Sequence, residues 1–237
     1  SSNFGLSSSL STLFSALLRS IPGWPMAGRL QAGSKSAAFS VADQEFWIRE
    51  LDTGGLGVRI YPSGKKLLEM LPNLTNWADA HVLELGAGTG LISVALAKLG
   101  ARVYATDYEK DTLKNLRFNI HQNRVAGQVQ VWHWDWAAAP PDQLPLDKLQ
   151  YCVGSDLVLG SNSSLLCKVL KSLKASAPGM EIMLVLHERE AEAVRALEEE
   201  LDLVGIPFNR EPLGYPGCAA DEHVSDNGPG TLSLLRI

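Results

Sequence analysis

Short apolar segments alternate with amphipathic segments from residue 81 onward, and this alternation is the main structural signal of the chain. Five apolar runs have the length of buried strands: 81–85, 102–106, 128–132, 151–156 and 181–187. Four amphipathic stretches with the period of a helix lie between or after them: 89–99, 109–123, 161–175 and 190–203. A strand that gives way to a helix four times predicts an α/β fold, in which helices cover both faces of a parallel sheet.

The segment before this alternation predicts a small entry structure. Residues 37–41 and 45–50 are typical of an antiparallel hairpin, and a further strand is predicted through Val58 and Ile60. A helix over 63–71 is predicted to follow, because Pro62 is favourable at the first position of a helix. The N-terminal part of the domain is therefore expected to be a β-hairpin followed by one helix.

The last part of the chain predicts two further strands, near 206–209 and 231–237. Between them, residues 211–230 are rich in Pro, Gly, Asp and Asn, which predicts a long loop. Loops of that length are often functional. We therefore predict one domain over 37–237, preceded by an extended arm over 1–36.

The arm differs from the domain in composition. It carries Arg19, Arg29 and Lys35 and no acid, and the first forty residues hold eleven serines. Such a start is typical of an organelle transit peptide, which favours a plastid or a mitochondrion over the cytoplasm. Six apolar side chains also share one helical face: Leu10, Leu13, Phe14, Leu17, Leu18 and Ile21. A targeting remnant and a helix that docks on a partner both remain open.

Charge and cysteine content exclude several functions. The formal net charge is -5, and the arm's three cations leave -8 for residues 43–237. An acidic domain lacks the basic face that nucleic-acid binding requires, although it would attract a lysine-rich protein. The three cysteines show no metal-ligand spacing, so neither a metal site nor a disulfide framework is predicted. Gly, Ser, Pro or a charge interrupts every long apolar run, so no transmembrane segment is predicted.

A glycine-rich segment follows the first of the regular strands. Residues 86–90, Gly-Ala-Gly-Thr-Gly, join an apolar strand to an amphipathic helix, and we call them the glycine turn. Glycines permit a tight turn that presents free backbone amides to a polar ligand. A dinucleotide fingerprint needs Gly or Ala one place after Gly90, where this chain has Leu91, so a dehydrogenase is disfavoured.

Acidic residues stand at the predicted carboxyl ends of four successive strands, and they are Glu84, Asp107, Asp135 and Asp156. Ligands of open α/β sheets bind outside these ends. Four carboxylates there suit a cationic ligand with ribose hydroxyls better than one with phosphates. S-adenosylmethionine is such a ligand, and its sulfonium already activates the methyl group, so the protein mainly has to align the acceptor.

Residues 82–90, Val-Leu-Glu-Leu-Gly-Ala-Gly-Thr-Gly, resemble motif I of the class I, seven-stranded methyltransferases. The resemblance extends to the Gly-Val-Arg-Ile-Tyr-Pro segment at 57–62, to Asp107, to Asp135-Trp136 and to the Ser-Asp-Leu-Val-Leu segment at 155–159, with Asn119 and Asn123 between them. Over about residues 40–237 the chain is similar to the eukaryotic protein-lysine methyltransferases that include the calmodulin-lysine and METTL-type enzymes. The resemblance implies a Rossmann-like, doubly wound, mostly parallel seven-stranded sheet.

The resemblance also implies roles for individual residues. Gly86, Gly88 and Gly90 would admit the methionine part of S-adenosylmethionine, and Glu84 would hold its ammonium group. Asp107 would accept hydrogen bonds from both ribose hydroxyls. The adenine would lie between the residues Tyr108, Asp135 and Trp136. For Asp107, a purely helix-capping role remains an alternative.

The acceptor end departs from the family pattern. The family motif Asp-x-x-Tyr reads Asp156-Leu157-Val158-Leu159 here, so Leu159 replaces the tyrosine, while Tyr61 stands where the family usually has Trp. Asp156 and Tyr61 are the candidate catalytic residues. Loss of one oriented hydrogen bond costs about 2–4 kcal/mol of transition-state stabilisation.

Two main hypotheses follow from this departure. The first is a methyltransferase that acts on a protein lysine. The second is a degenerate methyltransferase retained as a structural or assembly subunit of a larger, organellar complex. A small-molecule acceptor stays open as a third possibility. An open, carboxylate-lined pocket beside Gly86 and Asp107 would favour the first hypothesis, and a filled one the second.

Overall fold

The computed structural model of the protein describes residues 33–160, 162–187, 191–213 and 232–237. The predicted arm over 1–36 lies almost entirely outside these residues, as does most of the predicted loop over 211–230. Within the described part, no helix is long and apolar enough to span a membrane.

Strands and helices alternate along the described residues. The strands are β1 (Ser34–Val41), β2 (Gln44–Leu51), β3 (His81–Leu85), β4 (Arg102–Asp107), β5 (Val129–His133), β6 (Tyr151–Ser155), β7 (Glu181–His187), β8 (Asn209–Leu213) and β9 (Leu232–Arg236). The helices are α1 (Pro62–Leu74), α2 (Leu91–Lys98), α3 (Lys110–Gln122), α4 (Ser163–Ser176) and α5 (Ala191–Leu203). Short 3-10 helices cover Leu56–Val58 and Leu146–Lys148.

Seven strands form one sheet in the order β5-β4-β3-β6-β7-β9-β8. All neighbours are parallel except at β9, which runs antiparallel to both β7 and β8. The predicted doubly wound, mostly parallel seven-stranded sheet is confirmed. Strand order reverses at β3, whose neighbours are β4 on one side and β6 on the other. The carboxyl ends of these three strands form the edge at which such sheets bind ligands.

The two faces of the sheet bury separate apolar clusters. Side chains alternate along β3, so Val82 packs with α1, α2 and α3, while Leu83 and Leu85 pack with α4 and α5. Glu84 follows the same alternation and is buried on the α2 side, where it meets Ser93. The period of the strand therefore places one carboxylate inside the protein.

The β1–β2 hairpin docks on α3 through three buried asparagines spaced four residues apart, which we call the amide ladder. Asn123 exchanges hydrogen bonds with the backbone of Trp47, whose N–H donates to Oδ1 at 2.9 Å and whose carbonyl accepts from Nδ2. Asn119 does the same with Arg49, at 2.9 and 3.0 Å. Asn115 Nδ2 donates to the Arg49 carbonyl, and Asn115 Oδ1 accepts from Arg49 Nε. The side-chain amides thus replace a neighbouring strand for β2.

The predicted strand through Val58 and Ile60 is wrong, because Leu56–Val58 is a 3-10 helix and residues 59–61 are not part of a strand. Val58 is buried, which accounts for an apolar residue at this position without a strand. The Ile60 N–H is satisfied by a side chain, since it donates to Glu50 Oε1 at 2.8 Å. The apolar spacing in this segment therefore reflects packing against the domain.

The first late strand was predicted near 206–209 but lies at Asn209–Leu213, so this prediction is wrong in position. Ile206 and Phe208 are apolar because they pack against the core cluster beside α4 and α5. The pairing of Asn209 with Arg236 of β9 sets the true start of the strand. The predicted loop over 211–230 consequently begins within β8.

Candidate functional site

The glycine turn joins β3 to α2 with three glycines in the left-handed region. Gly86, Gly88 and Gly90 have φ values of 57°, 54° and 85°, which other residues rarely adopt. A side-chain carbon at Gly86 would lie 2.6 Å from Leu157, and one at Gly88 would lie 3.2 Å from the Gly57 carbonyl oxygen. This crowding, together with the backbone angles, requires glycine at both positions.

A cavity of about 490 Å³ opens beside the glycine turn at the carboxyl edge of the sheet. It is lined by all four predicted carboxylates: Glu84, Asp107, Asp135 and Asp156. Gly86, Gly88, Tyr61, Tyr108 and Trp136 line it too. Of the predicted site residues, Gly90 is not part of the lining. A side-chain carbon at Gly90 would instead collide with Leu116 of α3, so this glycine serves the approach of two helices.

Asp107 ends β4 and shapes the turn that faces it. Its Oδ2 accepts a hydrogen bond from the Gly88 N–H at 3.0 Å, and its Oδ1 accepts one from the Glu109 N–H at 3.1 Å. The residue is 8% exposed, and burial raises the pKa of its carboxyl although these hydrogen bonds oppose the shift. The helix that follows begins at Lys110 with Glu109 at its N-cap and has no side-chain cap bond, so the capping role considered for Asp107 is wrong. Its second bond reaches the glycine turn instead.

Glu84 is more deeply placed, at 3% exposure, and accepts a hydrogen bond from Ser93 Oγ of α2. Burial is the main cause that raises the pKa of its carboxyl to about 8, and the nearby Asp107 adds to the shift. The Ser93 hydrogen bond works in the opposite direction. A cation bound in the cavity would favour the ionised carboxylate.

The segment after β5 forms a second wall. Asp135 Oδ1 accepts a hydrogen bond from the Ala137 N–H at 2.9 Å, and Trp134 Nε1 donates to the Ala138 carbonyl at 3.2 Å. Trp134 is buried, while Tyr108, on the neighbouring strand end, is 70% exposed. The wall therefore combines a fixed carboxylate with aromatic surface at the cavity mouth.

The residues predicted to face the methyl acceptor line the cavity as well. Tyr61 lines it and its hydroxyl donates to the Leu56 carbonyl at 3.1 Å. Asp156 has a left-handed φ of 57°, and Leu159, at the position where the resemblance predicts a tyrosine, lines the cavity. Asn162 holds this segment, because its Oδ1 accepts from the Leu159 N–H at 2.9 Å and its Nδ2 donates to the Leu157 carbonyl at 2.8 Å.

Sequence reasoning missed Asn162 and the packing role of Leu157. Asn immediately before the helix α4 is a signal for a cap, yet here its side chain reaches back to the preceding turn. Leu157 gives no signal in the sequence, because its approach to Gly86 depends on how β3 and β6 pair.

The fold is the one that solved methyltransferase structures share. A 16S rRNA N2 G1207 methyltransferase from T. thermophilus, solved with AdoMet and guanosine, superposes with a TM-score of 0.59 at 18% identity, over 86% of this chain and 50% of that one. A precorrin-6y C5,15-methyltransferase from Geobacter metallireducens gives a TM-score of 0.56 at 15% identity, over 78% and 91%. This is a class I methyltransferase fold.

Within that class, the sequence identifies the family. The model of a family described as "Lysine methyltransferase" matches residues 40–199, and the chain belongs to this family. It is similar to the protein-lysine methyltransferase METTL21E of Mus musculus, with 36% identity over 43% of this chain and 45% of the mouse protein. It is also similar to the protein-lysine N-methyltransferase rrg1 of Schizosaccharomyces pombe, with 27% identity over 76% and 64%. The chain thus spans under half the length of the mouse relative.

Proposed function

We propose that the chain binds S-adenosylmethionine in the cavity and transfers its methyl group to a lysine side chain of a protein. The observation that carries the proposal is the open cavity beside the glycine turn, which the four carboxylates line. Membership of the lysine methyltransferase family and the protein-lysine methyltransferases among its relatives support the choice of reaction.

The cavity residues fit this cofactor. Gly86 and Gly88 line the cavity and carry no side chain, so a ligand can approach the backbone of the glycine turn. Glu84 offers a buried carboxylate for the ammonium group, and Asp107 presents an anchored carboxylate to ribose hydroxyls. Tyr108 and Trp136 offer aromatic surface to the adenine. The sulfonium of the cofactor supplies an activated methyl group.

The reaction requires little acid–base catalysis by the protein. A lysine ammonium would first release a proton to water, because only the neutral amine has a lone pair. That lone pair would form the new N–C bond as the C–S bond breaks, and the sulfur of S-adenosylhomocysteine would keep the electron pair. The methylated ammonium product could then release a second proton to water. Asp156 and Tyr61 stand at the acceptor end to orient the amine. The charge of -8 over residues 43–237 favours a lysine-rich substrate.

The second candidate, a degenerate subunit of a larger complex, has one observation in its favour. Leu159 brings neither a ring nor a hydroxyl to the acceptor end. The same hypothesis expects a filled cofactor pocket, however, and the cavity is open. The open pocket favours the enzyme.

Calorimetry with S-adenosylhomocysteine tests cofactor binding. We expect the folded protein to bind the ligand, and Asp107→Asn to weaken binding by about tenfold or more, the factor that 1.4 kcal/mol produces. Asp111→Asn is the matched control, because Asp111 pairs with Lys114 on the surface of α3 outside the cavity. Its affinity should stay at the wild-type value. Absence of binding by the folded wild type at millimolar ligand would overturn the proposal.

Transfer itself is tested with methyl-labelled S-adenosylmethionine and a lysine-rich protein mixture. After acid hydrolysis, the label should appear in methyllysine, and Asp107→Asn should reduce it together with the affinity. Label in a small molecule instead would redirect the proposal to another acceptor.

A further inference from the structure

Asn119 of α3 is fully buried and bonds two separate parts of the protein at once. Its Oδ1 accepts from the Arg49 N–H at 2.9 Å, and its Nδ2 donates to the Arg49 carbonyl at 3.0 Å. The same nitrogen donates at 2.8 Å to the carbonyl of Thr89, within the glycine turn. An amide nitrogen has two hydrogens, so the hairpin takes one and the glycine turn takes the other.

The other members of the amide ladder do not reach the turn. Within the described residues, the side-chain amide of Asn115 makes hydrogen bonds only to Arg49. The side-chain amide of Asn123 makes them to Trp47 and to the carbonyl of Asn119. The ladder therefore contains two residues that dock the hairpin and one that also ties it to the glycine turn. This difference supplies a matched comparison.

The orientation of the Thr89 carbonyl fixes one peptide unit of the glycine turn. It belongs to the same planar peptide unit as the Gly90 N–H, which donates to the Ala87 carbonyl at 2.8 Å. Asn119 holds one side of that plane and Ala87 the other, so the peptide cannot rotate without breaking a hydrogen bond. Because Thr89 is buried, water does not readily replace a lost partner. The Gly88 N–H, bonded to Asp107, lies one residue before this unit.

We infer that Asn119 is a positioning residue: it couples the docked β1–β2 hairpin to the glycine turn, so that docking of the hairpin and binding of the cofactor favour each other. This rests on the proposed function for its ligand. Coupling of this kind is reciprocal, because whatever the hairpin adds to ligand affinity the ligand adds to hairpin docking. Asn119 does not line the cavity itself and acts through the backbone of Thr89, which does line it.

The affinity test compares Asn119→Ala with Asn123→Ala, using S-adenosylhomocysteine at a temperature where both variants are folded. Both changes remove hairpin bonds, so both should lower the melting temperature. Asn119→Ala should weaken ligand binding by about tenfold, whereas Asn123→Ala should stay within about twofold of the wild type. Equal affinities in all three proteins, or equal losses in the two variants, would overturn the inference.

Hydrogen exchange of the ligand-free proteins gives a second readout that needs no cofactor. The amides of Gly88 and Gly90 should exchange about tenfold faster in Asn119→Ala, and within about twofold of the wild-type rate in Asn123→Ala. Unchanged exchange at the turn in Asn119→Ala would reject the coupling. If the wild type failed to bind the ligand, the proposed function would fall, while the exchange comparison would still decide whether Asn119 positions the turn.

The ligand should also act on the hairpin in the reverse direction. In the wild type, S-adenosylhomocysteine should slow exchange of the Trp47 amide, which bonds to Asn123 rather than to Asn119. In Asn119→Ala this protection should vanish at ligand saturation. Protection that persists in the variant would contradict the reciprocal coupling.

Discussion

At the scale of single residues, Glu84 is a buried carboxyl whose pKa is strongly raised. Burial raises the pKa of its carboxyl to about 8, so in the ligand-free protein it is mainly protonated at neutral pH. Since the folded state binds this proton more tightly than the unfolded chain, its contribution to stability is full at low pH and is lost as the pH rises through 8. Ligand binding has the opposite requirement, because an ammonium group favours the ionised carboxylate.

We therefore expect the affinity for S-adenosylhomocysteine to rise between about pH 6 and pH 8, with release of up to about one proton per ligand bound. Calorimetry in buffers of different ionisation enthalpy measures that proton. Glu84→Gln should bind more weakly and lose the pH dependence over this range. A variant that keeps the wild-type slope would show that another group titrates.

Leu159 is the residue at which methyl transfer can be tested by substitution, because it lines the cavity where the resemblance predicts a tyrosine. Leu159→Tyr restores a ring and a hydroxyl at the acceptor end, and we expect methyl transfer to lysine to rise by about tenfold or more. Affinity for S-adenosylhomocysteine should stay within about twofold, because Leu159 is not among the residues predicted to hold this ligand. Leu159→Phe adds the ring without the hydroxyl, so comparison of its activity with that of Leu159→Tyr shows what the hydroxyl contributes. A slower Leu159→Tyr would mean that the leucine is adapted to this chain's own acceptor.

At the scale of elements, the approach of α3 to the glycine turn depends on Gly90. Gly90→Ala adds a carbon that collides with the buried Leu116 and forces alanine to a φ of 85°, so we expect about 2–4 kcal/mol of destabilisation in urea. Gly205→Ala is the control, since Gly205 also has a positive φ, 72°, but meets nothing within 4 Å. It should cost about 1 kcal/mol. Equal losses in the two variants would leave no role for the contact with Leu116.

The elements that the sequence predicted best are the strands whose apolar residues all result from burial in the sheet. β3 and β7 are buried on both faces, so their apolar runs end where the strands end, at His81–Leu85 and Glu181–His187. The segment around Val58 was misjudged because an apolar residue can be buried without a strand partner. Helix α2 starts at Leu91, later than predicted, because the positive φ of Gly90 delays the helix.

At the scale of the whole molecule, the sheet and its carboxylates were predictable because each motif lies at a strand end, and parallel strands bring those ends to one edge. The contacts between distant segments were not. Asn119 and Arg49 are 70 positions apart, and the resemblance that includes Asn119 gives no partner for it. Leu157 meets Gly86 only once β6 lies beside β3.

The place of β9 in the sheet has a consequence for synthesis on the ribosome. β9 lies between β7 and β8 and pairs with both, so among the described strands β8 has no partner until residues 232–236 have been made. Until then one edge of β7, whose interior side chains are buried in the finished protein, is left unpaired in the nascent chain. An unpaired apolar edge is a site for wrong association. A translation product that stops before residue 232 should therefore aggregate through this edge.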